Sequence, residues 1–347
     1  MAPPYLMLPL FEETNGVCLH SLKHKNSYSL NLLEKIIQNF QCVGSCNGWL
    51  AFLDESGNPF LRRAFSTFQF NLPPKKTLQR EVDDSTSTNI VKVILSSLDA
   101  VIIMYNLGLD TKIAFWRDGD ENWRHLDGCR GETYYDIIFC DRTNMLLALG
   151  PGPSLESWDF TQTNPKKTMQ IIQDSCPKTL QLAHQTFPTD LFSSQWYLAS
   201  SPSGQIFMIV RYIGEFVRYD GEVVYEGDTL TDYAAEPLVC PYKTTGFHVF
   251  GLDLDRREWV DVESLNDLAL FVGVNQSVML SSVENEELKR NAIYFTDDYW
   301  ERMDEDYSYG GHDMGVYSLE DASIQPILDC GHQQKFHPPP FWLTLPR

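Results

Sequence analysis

Six carboxylates fall within ten residues towards the C-terminal end of the chain: Asp297, Asp298, Glu301, Asp304, Glu305 and Asp306, with His312 and Asp313 shortly after. Oxygen donors at this density are what a hard cation such as calcium requires. A calcium loop, however, alternates its ligands and turns at a central glycine, and this run does neither. A solvated acidic loop is the simpler expectation. The same run interleaves Tyr299, Trp300, Tyr307 and Tyr309 with the acids. Exposed aromatics beside charges make protein-binding anchors, whereas buried ones cap a sheet. Tyr299, Trp300, Asp304, Glu305, Tyr307, Tyr309 and His312 are therefore the candidate protein-binding residues.

Other chemistries find less support. Cys42 and Cys46 have the look of half a zinc site, but no second pair at ligand spacing follows, and Gly44, Asn47 and Gly48 between and beside them suit a turn. Gly150-Pro151-Gly152-Pro153 lacks the third glycine and following helix of a dinucleotide fingerprint. No nucleophile-elbow, zincin or phosphate-loop sequence occurs, and the sequon Asn275-Gln276-Ser277 means little without a secretory signal. No catalytic residue, cofactor or metal is expected.

The elements that must position these residues repeat. An outer hairpin recurs at 17–32, 59–73, 111–128, 154–172, 246–265 and 314–329. A second, more apolar hairpin alternates with it at 42–54, 91–106, 134–150, 196–212 and 268–298. Each is two strand-like runs around a Gly, Asn, Asp or Ser turn. One hairpin of each kind makes a four-stranded unit that cannot bury its own faces, so the units must stack around a ring. The expected fold is all-β: a β-propeller of six four-stranded blades in a single domain over 1–347. The first outer hairpin lacks inner strands. Two similar segments, PPYLMLP at 3–9 and PPPFWLTLP at 338–346, are expected to supply them and close one blade. Insertions are placed near 173–194, 213–245 and 299–312, and a short amphipathic helix over 31–40, where Leu32, Leu33, Ile36, Ile37 and Phe40 recur at helical spacing. Trp116, Trp123, Trp158 and Trp259 lie within the repeated hairpins and are expected to pack between blades.

Composition narrows the partners. A formal charge of −20 argues against nucleic acid, since phosphate binding needs a basic footprint, and favours basic partners. No apolar run approaches the roughly 18 residues of a membrane span. The N-terminus has neither a signal nor a transit pattern, so an intracellular location, cytoplasmic or nuclear, is expected. The eight scattered cysteines read as reduced thiols used for packing.

VGSCNGWLAFLD, IAFWRDGDENWRHLDG, YDIIF, LESWDF, GFHVFGLD, EWVDVESLNDLALFVG, IYFTDDYW, GGHDMGVYSLED and PPPFWLTLP, in that order, resemble the plant KIB-type β-propeller family. In that family the propeller typically follows an N-terminal F-box that docks a cullin ligase, and the propeller is thought to select a protein target. The resemblance thus implies a protein partner and no catalytic residue. This chain starts at the propeller, so recruitment of the ligase core is not expected. The leading expectation is a non-enzymatic protein-interaction propeller. The alternatives are an enzyme using a central-channel site, with His125, His248 and Asp136 as conceivable contributors, and a degenerate structural paralogue.

Overall fold

In a computed structural model, residues 3–9, 17–24, 26–29, 40–46, 48–79, 88–96, 100–126, 133–171, 177–218, 220–225, 240–299, 302–303, 310–328, 336 and 340–344 are described. They form six sheets arranged as a β-propeller. Blade 1 holds β1 (Tyr5–Pro9), β2 (Val17–Ser21), β3 (Asn26–Ser29) and β25 (Phe341–Leu343). Blade 2 holds β4 (Gln41–Cys46), β5 (Trp49–Leu53), β6 (Pro59–Arg63) and β7 (Gln69–Asn71). Blade 3 holds β8 (Thr88–Leu95), β9 (Ala100–Leu107), β10 (Asp110–Arg117) and β11 (Arg124–His125). Blade 4 holds β12 (Asp136–Cys140), β13 (Met145–Gly150), β14 (Ser154–Asp159) and β15 (Lys166–Ile171). Blade 5 holds β16 (Phe192–Ser200), β17 (Ile206–Val217), β18 (Cys240–Asp253) and β19 (Glu258–Asp261). Blade 6 holds β20 (Leu268–Val272), β21 (Val278–Ser281), β22 (Ala292–Phe295), β23 (Gly315–Ser318) and β24 (Ile324–Pro326).

The core lies between blades, and strand alternation explains how it is divided. Successive side chains of a strand point to opposite faces, and an inner strand has a neighbour on each face, so both sets are apolar. In β9, Val101, Ile103 and Tyr105 pack with Val43 and Leu61 of blade 2, while Ile102 and Met104 pack with Phe139 and Leu146 of blade 4. The same division recurs at every junction round to Leu6 against Phe271 and Met7 against Leu50. Outer strands face water: β15 is exposed along most of its length.

The seam closes as the sequence requires. Leu6 of β1 pairs with Trp342 of β25 and with His20 of β2, so first and last segments share one sheet. Tryptophans tie three junctions in the same way, donating the indole N–H to a backbone carbonyl of the preceding blade. The pairs are Trp123 to Pro73 (2.8 Å), Trp259 to Pro153 (2.8 Å) and Trp342 to Val272 (3.0 Å). At the blade 2–3 junction the backbones themselves meet: a Cβ at Gly44 would lie 2.5 Å from the Val93 carbonyl oxygen, so only glycine fits.

Three details differ from the sequence expectation. Blade 6 has five strands in the order β21-β20-β22-β23-β24, with β20 and β22 parallel, because the loop between β21 and β22 carries the chain back across the sheet. The insertion placed at 213–245 is strand at both ends, since β17 runs to Val217 and β18 begins at Cys240. Within 173–194 lies a helix, α1 (Lys178–Thr186), whose Leu180 and Ala183 are buried between blades 4 and 5. The helix expected over 31–40 falls outside the described residues except for Phe40.

Asn275 and Gln276, between β20 and β21, reach from blade 6 to two other blades. Asn275 donates to Ser45 Oγ of blade 2 (2.7 Å), and Gln276 exchanges hydrogen bonds with the Phe139 backbone of blade 4 (both 3.1 Å). Of the channel candidates, His125 is hydrogen-bonded to Tyr105, His248 to Tyr212, and Asp136 is buried against Lys92. They belong to three separate local arrangements.

Truncation of residues 341–347 is expected to lower the melting temperature of the whole ring in a single transition, and Trp342→Ala alone to cost about 3–5 kcal/mol. Calorimetry or urea unfolding checks both; near-wild-type melting of the truncation would exclude closure through β25.

Candidate protein-interaction site

β17 contains the segment IFMIVRYIGEFV, in which one arginine interrupts an apolar run. Arg211 is completely buried. Its Nε donates to Thr244 Oγ1 (2.7 Å), Nη1 to Asp298 Oδ1 (2.9 Å) and the Thr296 carbonyl (2.8 Å), and Nη2 to Asp313 Oδ2 (2.8 Å) and the Asp313 carbonyl (3.1 Å). Asp298 also accepts from Tyr197, at 2.9 and 3.0 Å to its two oxygens. Asp313 accepts from the Thr244 amide and hydroxyl. A β-bulge makes this possible. Arg211 pairs with Phe247 and Ile213 with Thr244, so the extra residue Thr245 shifts parity and brings Thr244 to the face of Arg211.

Asp297 forms the second half of the anchor. Its Oδ2 accepts from Tyr242 (2.8 Å) and from the amides of Gly311 (2.8 Å) and Asp313 (3.2 Å). Three carboxyls thus surround one guanidinium. Burial works against the charge of Arg211, yet Tyr197, Asp313, Asp298 and Asp297 hold it protonated more firmly than water would. Burial, reinforced by the Asp313 charge, pushes Asp297 up from its ordinary 3.8 to about 7. Burial also raises Asp298, against the pull of Arg211.

These contacts clamp both stems of the acidic, aromatic segment onto blade 5. Tyr299 and Met303 pack with Ile213, Val217 and Tyr242 beyond the end of the ordinary blade, on the ribbon formed by the long β17 and β18. The Tyr299 hydroxyl lies 2.7 Å from Ser193 Oγ and 2.9 Å from a Glu215 carboxylate oxygen, sharing its one hydrogen between them, and the Arg302 guanidinium lies 4.8 Å from the Phe216 ring centre. On the second stem, the His312 ring sits 4.5 Å from that of Phe336.

The sequence candidates therefore divide. Tyr299 is buried, 9% exposed, and serves as a cap on blade 5 and not as a displayed anchor. Asp297 is likewise a buried partner of the clamp, and Asp298, half-buried, turns its carboxylate onto Arg211, so neither belongs to a solvated loop. His312 is half-buried at the second stem, while Trp300, Asp304, Glu305, Tyr307 and Tyr309 lie outside the described residues. Arg211, Thr244, Tyr242 and Tyr197 escaped the sequence reading; a charge within an apolar strand was the available signal. Among the described residues no group of three His, Cys, Asp or Glu is arranged to hold a metal. Cys42 and Cys46 are free, burial raising their thiols to about 12 and about 11, and each donates to a backbone carbonyl as a packing thiol does.

A profile of the KIB1-4 beta-propeller family matches residues 19–318. The chain belongs to that family. As a KIB1-4 propeller it is 24% identical over 274 residues to a putative F-box protein of Arabidopsis thaliana, covering 76% of this chain and 62% of that protein. A second putative F-box protein of the same plant is 30% identical over 95 residues, 27% of this chain and 24% of the other. The propeller thus spans about three-fifths of the first relative's length and a quarter of the second's. Among solved structures, the Malassezia sympodialis allergen Mala s 1 aligns over 95% of this chain and 86% of its own, at 11% identity and a TM-score of 0.40. No helix among the described residues is long and apolar enough to cross a membrane.

Arg211→Leu is expected to lose about 3–5 kcal/mol in urea unfolding by stranding buried carboxyls, and Arg211→Lys to recover little, since an ammonium cannot reproduce the fork. An acid raised in the fold holds its proton more tightly folded than unfolded. Its stabilising contribution is therefore complete below pH 3.8 and is lost as pH rises to about 7. Asp297→Asn should accordingly gain stability relative to the wild type across that window. A melting-temperature difference independent of pH would rule out a raised Asp297.

Proposed function

We propose that this chain is a non-enzymatic protein-interaction propeller, akin to the target-selecting part of plant F-box ubiquitin-ligase adaptors, and that the segment between the clamped stems, 300–309, meets the partner. The observation that carries this reading is the clamp itself. A buried guanidinium and three carboxyls fix Asp297–Tyr299 and Gly310–Asp313 against blade 5, which holds the ends of an acidic, aromatic segment at a defined place on the ring. Rigid scaffolds that fix the stems of a variable segment are a common way to build recognition surfaces. The F-box names of the relatives favour a protein partner, and the formal charge of −20 favours a basic one. Binding without chemistry is favoured because the buried acids of the fold are committed to structural partners: Asp136 to Lys92 and two backbone amides, Glu156 to Lys167 and Tyr134, and Asp297, Asp298 and Asp313 to the clamp. Free thiols at Cys18, Cys42, Cys46 and Cys140 accord with an intracellular setting.

Crosslinked co-purification from plant extract tests the proposal with three chains: wild type, Asp304→Lys with Glu305→Lys, and Arg211→Leu. The charge reversal is expected to keep the wild-type melting temperature and lose the partner. Capture of the same partner by wild type and charge-reversed chains alike would move the interface elsewhere, and failure of the wild-type chain to recover a reproducible protein would overturn the interaction reading.

A further inference from the structure

At the opposite end of β17 from the clamp, the turns 141–144 and 201–205 flank an open cavity of about 1370 Å³. It runs from β14 and β15 of blade 4, past β17, to residues 276–281, so blades 4, 5 and 6 all contribute walls. The inner walls are apolar and include three methionines, Met145, Met169 and Met279. Unbranched, polarisable methionine side chains adapt to ligands of varied shape. Ser277 stands on the blade 6 wall. It is 6% exposed, and its hydroxyl has no hydrogen-bond partner among the described residues. A buried hydroxyl left unpaired carries a desolvation cost that a bound polar group would offset.

We infer that this cavity is a second binding site, and that its occupant is an extended peptide that inserts a Met-, Leu- or Ile-sized side chain, presents a backbone amide or carbonyl to Ser277, and carries Lys or Arg beside the anchor. Three observations select that class. The volume exceeds the roughly 300–1,000 Å³ of pockets for small organic ligands. Ser277 offers one donor and an acceptor to match a peptide group. At the mouth stand two carboxylates, Asp141 and Glu284, against one guanidinium, Arg142, so the rim is net acidic, as is the chain at −20. No residue of the clamp lines the cavity, and this site does not rest on the function proposed above.

The test is panning of a random dodecapeptide display library on the full chain, with counter-selection on Ser203→Trp. Ser203 is exposed in the turn at the mouth, so an indole there obstructs entry without entering the core. Recovered peptides are expected to share an apolar anchor flanked by a basic residue. Their affinity should fall about tenfold or more with Ser203→Trp, and about three- to tenfold with Ser277→Ala, the loss of one hydrogen bond. Ser277→Ala should at the same time melt no lower than wild type, because it removes an unpaired group. Peptides whose binding neither variant changes would overturn the assignment, as would the absence of any peptide that discriminates wild type from Ser203→Trp. Nile red that binds wild type, is excluded by Ser203→Trp and is displaced by no recovered peptide would also overturn it, in favour of a small apolar ligand. Asp304→Lys with Glu305→Lys should leave peptide affinity unchanged, which separates failure of this site from failure of the other.

Discussion

The pairing of Tyr5–Met7 with Phe341–Leu343 is the constraint on which the remaining contacts rest. In a ring every blade has two neighbours, and each inner strand divides its side chains between them. Opening the ring at one place therefore uncovers more than one sheet edge. Without β25, Leu6 and Leu8 lose Trp342 from the cluster they share with Phe271, and Met7 and Leu50 lose Phe341 on the other side. Trp342 also reaches into both neighbours, donating its indole to Val272 and offering its carbonyl to Ser45. Segment 275–281, held to Ser45 and to Phe139, depends on blades 2 and 4 keeping their places in the closed ring.

Buried charge at the junctions acts differently from this apolar packing. Lys92 and Asp136 join blades 3 and 4, and Asp136 reaches on to the Leu198 amide of blade 5. One cation faces one carboxyl there. Between blades 5 and 6, Arg211 faces Asp298, Asp313 and Asp297, an excess of acid at a buried junction. Burial, reinforced by the Asp313 charge, raises Asp297 to about 7, which favours its neutral form compared with an ordinary carboxyl. Such sites gain little stability over apolar packing of equal volume, but each charge has only one place where it is satisfied.

Much of the ring was legible in the sequence because hairpin rhythm and strand alternation are local properties. The six outer hairpins and the burial of Trp116, Trp123, Trp158 and Trp259 follow from spacing within about twenty residues, and the recruitment of both termini follows from a first hairpin without inner strands and two terminal segments alike in form. The clamp did not. Arg211 finds Asp298 and Asp313 at separations of 87 and 102 residues, and nothing in the local pattern around Asp297 distinguishes a buried carboxyl from a solvated one. Periodicity also cannot order strands within a blade, so the parallel pairing of β20 with β22 and the inner place of β21 were hidden. The burial of Tyr299 is hidden for the same reason: acids on either side suggest water, whereas Ser193 and Glu215 of blade 5 lie against its hydroxyl.

Arg211 also fixes the register of the strand that supports both candidate sites. Along β17, Met208, Val210 and Tyr212 pack towards blade 4, and Phe207, Ile209 and Arg211 face blade 6. A slip of one residue exchanges the two sets. The apolar residues would tolerate that exchange with modest loss, since both junctions are apolar. Arg211 would not: it would leave three carboxyls and enter a cluster containing Leu147, Leu149 and Phe250. The bulge at Thr245 makes the penalty sharper, because only in the native register does Thr244 share the arginine's face. One charged side chain in an apolar strand thereby sets where the stems of the 300–309 segment attach at one end of β17 and which residues line the cavity at the other.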